Sequence, residues 1–438
     1  MRFVKFLRWK PIKSILCGVI VSTVFAGGNW GTLYGSDDPN LDLATGKVEG
    51  LIRSETAANA GGSSDGYIFG NGSGEVIRRI TRDKTRYSGS TGFDAEEPED
   101  AKEAFLKSID WGVVAEGELV SNLNANDYFN RQADAVFSAS HGFITHLSSQ
   151  AVFYGLVETG YGLGLDGHIP TFAGFNDEIE IGNHIHFNEA WYEQRFGEND
   201  RWRWKIGQID LTCDFDTNDF ANCGYNQFNS TGFVNNMALE YPSYTFGTML
   251  WRDFGDSFSI GAGYQSDWTW EDVFSGGFGI LEADFHFKTG DLTGNYRFYG
   301  WVNGSDTYGD EDINSGWGLS LDQELTHHFG IWIRVGLENG NVGSYDSHYS
   351  GGIRFQHFSG GYDHDHIGVA YGIITPSSAF AGWVETNTVR EHFVEAYYHH
   401  WMNELTHVSP FLQCVKNPLG ISEYGSVFVL GIRGVIEM

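Results

Sequence analysis

Alternation is the feature that most limits what this chain can become. Between Gly279 and Lys288, residues Gly279, Leu281, Ala283, Phe285 and Phe287 fall on one side of an extended segment. Ile280, Glu282, Asp284, His286 and Lys288 fall on the other. A period of two describes a strand with one apolar and one polar face. Segments of this kind recur to the last residue, each closed by a polar or glycine-rich break. Transmembrane β-barrels are built from strands of about 9–11 residues that are apolar toward lipid and polar toward the lumen. The pattern therefore predicts an all-β fold, a transmembrane antiparallel β-barrel.

Strands are expected near 110–121, 132–144, 150–161, 184–196, 201–211, 243–251, 257–268 and 278–289. The series continues near 292–302, 315–325, 328–338, 348–358, 365–374, 391–402, 406–415 and 426–437. The total is about 16 strands, an even number, as single-chain bacterial barrels have. Tight connections such as Thr289-Gly290-Asp291 read as periplasmic turns, and the long ones, 212–242 and 375–390, as external or folded inward. Apolar runs elsewhere fall short of the roughly 18 residues of a membrane helix. A mean hydropathy of -0.28 fits a barrel, and 14 Trp would supply its two interfacial girdles.

Three segments divide the chain. Residues 1–26 read as a signal peptide: Arg2, Lys5, Arg8, Lys10 and Lys13 precede a short apolar stretch, and Val24-Phe25-Ala26 offers a cleavage site. Residues 27–109 form a polar N-terminal extension with Gly-Ser-Asp-Asn runs, a basic stretch, an acidic stretch and one short helix expected over 101–108. Residues 110–438 carry the barrel pattern, and the expected location is the bacterial outer membrane.

The formal charge of -30 excludes nucleic acid as a natural partner, because phosphate binding needs clustered Lys and Arg. The few basic residues after position 109 test the barrel. Arg203, Lys205, Arg297, Arg334, Arg354 and Arg433 lie inside expected strands. On the lipid face each would cost about 2–4 kcal/mol near the midplane. Alternation resolves this: Phe329, Ile331, Ile333, Val335 and Leu337 oppose Gly330, Trp332, Arg334, Gly336 and Glu338. Ile353 and Phe355 oppose Arg354, and Ile432 and Ile436 oppose Arg433. These arginines are expected in the lumen.

Cys213 and Cys223 lie ten positions apart in one exported loop, so a disulfide pinning that loop is expected, while Cys414 sits apart in the fifteenth strand. Several motifs lead nowhere. Asp214-x-Asp216-x-Asn218 imitates a calcium loop, but Asp219 replaces the required Gly and Tyr225 the closing Glu. His364 with His366, and His184 with His186, sit near strand ends where polar residues are common. Gly160-x-Gly162-x-Gly164 lacks a strand–helix context, and no serine elbow or metalloprotease helix occurs. No catalytic residue, metal or cofactor is implied, and the reading is not that of an enzyme.

A family resemblance emerges along 187–438, with weaker support from about 110. Phe187-Asn188-Glu189-Ala190-Trp191-Tyr192-Glu193-Gln194 and Lys205-Ile206-Gly207-Gln208-Ile209-Asp210 begin it. Phe215-Asp216-Thr217-Asn218-Asp219-Phe220-Ala221-Asn222, Gln227-Phe228-Asn229 and Phe233-Val234-Asn235-Asn236 carry it furthest. Leu321-Asp322-Gln323-Glu324-Leu325 with Arg334, then Gly351-Gly352-Ile353, Gly368-Val369-Ala370-Tyr371, Glu395-Ala396-Tyr397-Tyr398 and the stretch 410–418 follow in order. The chain resembles the OprB-type carbohydrate-selective porins. The resemblance implies a sixteen-stranded outer-membrane barrel admitting small sugars, narrowed by inward loops with lumen arginines and acids. Two departures stand out: Met438 where an aromatic residue closes most such barrels, and the polar 27–109 segment.

A sugar presents hydroxyls at its edge and C–H groups on its faces, so a selective passage needs hydrogen-bonding groups and flat aromatics, each weak enough to let go. The candidates for the polar part are Glu193, Arg203, Asp210, Asp216, Asn218, Asn222, Asp322, Gln323, Arg334 and Arg354. Trp332 shares a face with Arg334 and is the first choice among Trp191, Trp202, Trp204, Trp301, Trp317 and Trp332 for the aromatic part. The loop 212–236 is expected to fold into or over the pore, being long for a hairpin connection. The expected partners are small sugars in transit and outer-membrane lipid, and a homo-oligomer is left open. Two other readings stand beside this one: a porin for other small solutes or cations, and a secreted β-rich glycan-binding protein. A secreted sandwich would bury only one face of each sheet, which the Arg-inward, apolar-outward pattern opposes.

Overall fold

The computed structural model describes residues 109–438 apart from 177–178, 180–181, 183, 243, 267–276, 305–312, 357–364 and 404. The expected signal peptide, the polar extension with its short helix, and His364 lie outside the described residues. Sixteen strands run in chain order. They are β1 (Ile109–Asn122), β2 (Ala133–Ser148), β3 (Ala151–Tyr161), β4 (His184–Phe196), β5 (Trp202–Ile209), β6 (Thr245–Asp253), β7 (Phe258–Gln265) and β8 (Phe278–Thr289). Then come β9 (Leu292–Asn303), β10 (Asn314–Thr326), β11 (Phe329–Glu338), β12 (Tyr345–Gln356), β13 (His366–Pro376), β14 (Glu391–Asn403), β15 (Thr406–Lys416) and β16 (Ser426–Glu437). Two short helices interrupt the connections, α1 (Thr231–Val234) and α2 (Ser378–Trp383).

Each strand pairs antiparallel with the next, and β1 pairs with β16 from Val114↔Glu437 to Asn122↔Val429, so the sheet closes and leaves no edge. Closure lets the wall pair its ladder hydrogen bonds internally, the condition for crossing hydrocarbon with strands. The connections 149–150, 290–291 and 327–328 gather at one end, with Ile109 and Glu437. The longer connections 162–183, 210–244 and 377–390 gather at the other.

Parity along the strands is as the sequence pattern requires. Leu281, Phe285, Phe298, Trp317, Ile333, Ile353, Val369, Leu412, Leu430 and Ile432 are exposed on the outer wall, while Glu282, Arg297, Asp322, Arg334 and Arg433 are buried inside. One irregularity protects this arrangement. Leu156 pairs with Glu189 and Val157 with Phe187, so Asn188 is an extra residue in β4. This bulge shifts the parity. Without it, His186 and Glu193 could not both face inward. The bulged Asn188 turns its amide to Glu158.

The interior is a packed core. Phe172 and Phe175 from the β3–β4 connection, Phe220, Phe228 and Phe233 from the β5–β6 connection, and Phe380 of α2 cluster against Trp332, Phe393, Tyr397 and Phe411 of the wall. Glycine makes room for these rings. Gly318 faces Tyr299, Gly368 faces Tyr397, Gly372 faces Phe393 and Gly431 faces Phe411 across adjacent strands. A Cβ at any of these glycines would come within 2.1–2.5 Å of the facing ring. The rings lie flat on bare backbone, which restores packing that glycine alone would forfeit. Gly372→Val should push Phe393 from this place and destabilise the barrel by about 1–3 kcal/mol. The check is the temperature at which the folded band converts to the unfolded one on a detergent gel; an unchanged temperature would count against the packing described.

Candidate functional site

The β5–β6 connection leaves the wall at Asp210 and crosses the lumen. The Asp210 carboxylate accepts from Thr212 N at 3.0 Å and Thr212 Oγ1 at 2.5 Å, a turn that ends β5 at Ile209 instead of the expected residue 211. Asp216 follows at φ 53°, in the left-handed region that a non-glycine residue enters at a cost. Its carboxylate lies 2.9 Å from Arg334 Nε and accepts from Tyr299 Oη at 2.8 Å, and its own N–H donates to Glu282 Oε2 at 2.7 Å. Burial pushes the Asp216 carboxyl above its ordinary value, and the Arg334 charge acts against that shift.

Wall charges meet the loop's peptide groups one after another. Arg334, fully buried, donates to the carbonyls of Phe233 at 2.6 Å, Asp216 at 2.9 Å and Ala221 at 3.1 Å. Arg433 donates to the carbonyls of Gly224 and Gln227 and to the Asn229 side chain. Glu395 accepts from the N–H groups of Asn229 at 2.8 Å and Ser230 at 3.0 Å. Asp322, paired with Arg297 at 2.6 Å, accepts from Asp219 N at 3.3 Å. His366 Nε2 lies 2.9 Å from the Asn226 carbonyl. A peptide segment inside a barrel has little water to bond, so these contacts replace solvent.

The β3–β4 connection is held the same way. Glu391 accepts from Phe172 N at 3.1 Å, Ala173 N at 2.8 Å and Leu419 N at 2.7 Å. Gln413 Nε2 donates to Phe175 O at 2.7 Å. Asp166 closes the loop on itself by accepting from Phe175 N at 2.8 Å and Asn176 N at 2.7 Å. The two connections touch at Ala173, whose carbonyl accepts from Gly232 N at 3.0 Å and Ser230 Oγ at 2.7 Å. The Phe380 ring of the 377–390 connection packs edge-on to Phe172 at 4.9 Å.

The structure divides the sequence candidates. Asp216, Asn218, Asn222, Trp332 and Arg334 are buried between loop and wall. Asn218 Nδ2 donates to Ser320 Oγ at 3.1 Å, Asn222 N donates to Gln227 Oε1 at 2.6 Å, and Trp332 packs against Phe228 and Phe233. Glu193 and Arg203 meet near the short-turn end: Arg203 pairs with Asp214 at 2.9 Å and Glu193 at 3.7 Å, with its side chain 32% exposed. Arg354, half-buried, lies over the Phe220 ring at 5.7 Å. Asp219, at the loop tip, is exposed and accepts from Asn295 Nδ2 at 3.0 Å.

Two expectations are corrected. Gln323 faces outward, where its Oε1 accepts from Tyr296 Oη at 2.9 Å, because neighbouring residues of a regular strand cannot share the face of Asp322. The Cys213–Cys223 disulfide is not formed. Cys213 Sγ donates to Asp210 Oδ2 at 3.3 Å beside β5, whereas Cys223 packs with Val114 and Val435 on the β1–β16 side, so the loop's span across the lumen keeps the sulfurs apart. Of the tryptophan candidates, Trp191, Trp301 and Trp332 point inward and Trp202, Trp204 and Trp317 outward. Sequence reasoning missed Glu282, Glu391 and Glu395 as loop anchors. Their inward parity was visible, but nothing in a strand names a loop's N–H as its partner.

A closed sixteen-stranded barrel with loops folded into its lumen is the architecture of a porin. Residues 131–438 match the family described as "Carbohydrate-selective porin, OprB family", and the chain belongs to that family. The high-pH structure of Pseudomonas putida OprB superimposes with a TM-score of 0.65 at 18% identity, covering 77% of this chain and 96% of that one. The low-pH structure of the same protein gives 0.51 at 16% identity, covering 77% and 95%. These likenesses show the shared fold. A curated Aquifex aeolicus protein described as uncharacterized is 40% identical over 81 residues, which is 18% of this chain and 26% of that relative.

Two measurements test the anchoring. Arg334→Leu leaves three loop carbonyls and Asp216 without their donor. It should destabilise the docked loop by about 3–5 kcal/mol and raise single-channel conductance and current noise. A quiet channel of unchanged conductance would contradict the anchoring. Burial also pushes the Asp166 carboxyl up to about 6, opposed by the N–H groups of Asn176 and Phe175. The docked loop thus holds this proton more tightly than an open loop would. Docking is favoured most below the ordinary carboxyl value and weakens as pH rises toward 6. Cleavage within 162–183 by a nonspecific protease should increase from pH 5 to pH 7, relative to a control substrate, and lose this dependence in Asp166→Asn.

Proposed function

We propose that this porin passes small sugars by passive diffusion, along the wall left open at the short-turn end by Glu193, Arg203, Asp219, Asn295 and Arg354. One observation carries the reading: apart from Arg354, which bonds Gln356, the strand arginines and Lys205 of the inner wall are matched by carboxylates. Arg203 and Lys205 pair with Asp214, Arg297 with Asp322, and Arg334 with Asp216. A ring of one charge sign selects ions. Matched pairs instead form no ring of one sign, and where a pair reaches solvent, at Arg203 with Asp214, it sets donor and acceptor side by side, which suits a neutral polyhydroxylated solute. No covalent step is needed. The protein's part is to fix the width of the passage and to offer weak, exchangeable contacts.

The same reading places the short-turn end in the periplasm, following the loop lengths of such barrels. Residues 1–26 would serve as an export signal and 27–109 as a periplasmic extension, consistent with β1 starting at that end. Lipid would surround the outer wall. The overall charge of -30 is what favours the second reading, a porin with cation preference.

Liposome swelling with neutral sugars of rising size, beside non-sugar solutes of matched size, separates the readings. Faster entry of sugars is expected, and Arg354→Ala or Phe220→Ala should narrow that advantage. Equal rates for matched solutes together with a strongly cation-selective reversal potential would favour the second reading.

A further inference from the structure

Strand arginines of this barrel face the lumen with one exception. Arg195, Arg203, Arg297, Arg334, Arg354 and Arg433 share inward parity, and each reaches an acceptor within the protein. Arg252 on β6 has the opposite parity: Met249 and Trp251 are buried inside, while Leu250 and Arg252 are exposed on the outer wall. Among the described residues, its guanidinium has no carboxylate partner and donates no hydrogen bond. It lies instead against aromatic rings. Cζ lies 4.7 Å from the Trp202 ring, its direct cross-strand neighbour, and 4.5 Å from the Phe254 ring. Phe196 stacks on Trp202 at 6.0 Å with the planes 6° apart.

All four side chains sit at the short-turn end of β4–β6, one residue from the β6 terminus in the case of Arg252. That is the level of a barrel's aromatic girdle, where the membrane tolerates a charge that its midplane would not. Rings against the guanidinium limit its rotamers and leave the N–H edge as its available donor surface. A guanidinium fork matches phosphate oxygens in a bidentate geometry. In a chain of formal charge -30, a fixed outward cation stands out as a place for an anion. We propose that Arg252, held by Trp202 and Phe254, binds the phosphate of an anionic glycerophospholipid in the leaflet at the short-turn end. The rings would pack against the glycerol and upper acyl carbons, as aromatic girdles do at this depth.

The test uses the full barrel in detergent, titrated with phosphatidylglycerol or with diacylglycerol of the same acyl chains, and analysed by native mass spectrometry. The wild type should retain phosphatidylglycerol about tenfold better than Arg252→Gln, the loss of one charge-assisted site. Diacylglycerol should be retained weakly and equally by both. Trp202→Leu keeps the charge but loosens its clamp, and intermediate retention is expected. Heat-dependent gel mobility verifies that each variant is folded. Equal phosphatidylglycerol retention by folded wild type and Arg252→Gln would overturn the site. Diacylglycerol retained as well as phosphatidylglycerol would also overturn it, reducing the contact to apolar packing. Should Arg252→Gln fail to fold, Trp202→Leu carries the same decision, with wild-type retention refuting the clamp.

Discussion

The structure depends on how buried peptide groups find partners when a loop is drawn into a barrel. The wall can satisfy its own backbone by closing, but an inserted segment brings N–H and C=O groups into a space with little water. Each orphan would cost about 1–3 kcal/mol. Here the wall answers with charged side chains. Arg334 and Arg433 donate to carbonyls of the β5–β6 connection, while Glu391 and Glu395 accept its N–H groups and those of the β3–β4 connection. Charge-assisted bonds are the stronger kind, so a few wall residues hold two long segments.

This solution sets the pore. Charges used as anchors are unavailable to line the passage, and those paired with each other, Arg297 with Asp322 and Arg334 with Asp216, offset one another. What stays accessible is a smaller set near the short-turn end, with Arg203 between Glu193 and Asp214 and with Asp219 against Asn295. Apolar packing of Phe228, Phe233 and Trp332 then fixes the loop's depth, each large ring contributing about 1.5–3 kcal/mol by burial. On the proposed reading, the passage is bounded by a docked peptide and its contacts are polar without being strongly ionic.

Much of this was legible in the sequence because a barrel wall is ruled by one local variable, the parity of side chains. Strands β4, β8 and β16 have the bounds that alternation predicts, and the inward side of Arg334, Arg354 and Arg433 follows from their apolar neighbours. What failed was what parity cannot encode. The extra residue at Asn188 is a register event between two strands. Gln323 carries a polar side chain on an apolar face, so its chemistry misled where its position would not have. The distance between Cys213 and Cys223 depends on the path of the loop, and nearness along a chain says little once that chain crosses a lumen. The loop's long-range anchors, such as Glu282 at 66 residues from Asp216 and Glu395 at 166 from Asn229, have no local signature.

The most direct test of this account is hydrogen exchange of the individual backbone amides of Asp216, Asn229, Ser230 and Gly232 in the reconstituted barrel. Their N–H groups donate to Glu282, Glu395 and Ala173. The account predicts protection comparable to that of the β-strands, and selective loss at Asn229 and Ser230 in Glu395→Ala. Exchange at all four positions as fast as in an open surface loop would contradict it, because the connection would then lie in water and the wall charges would have another purpose.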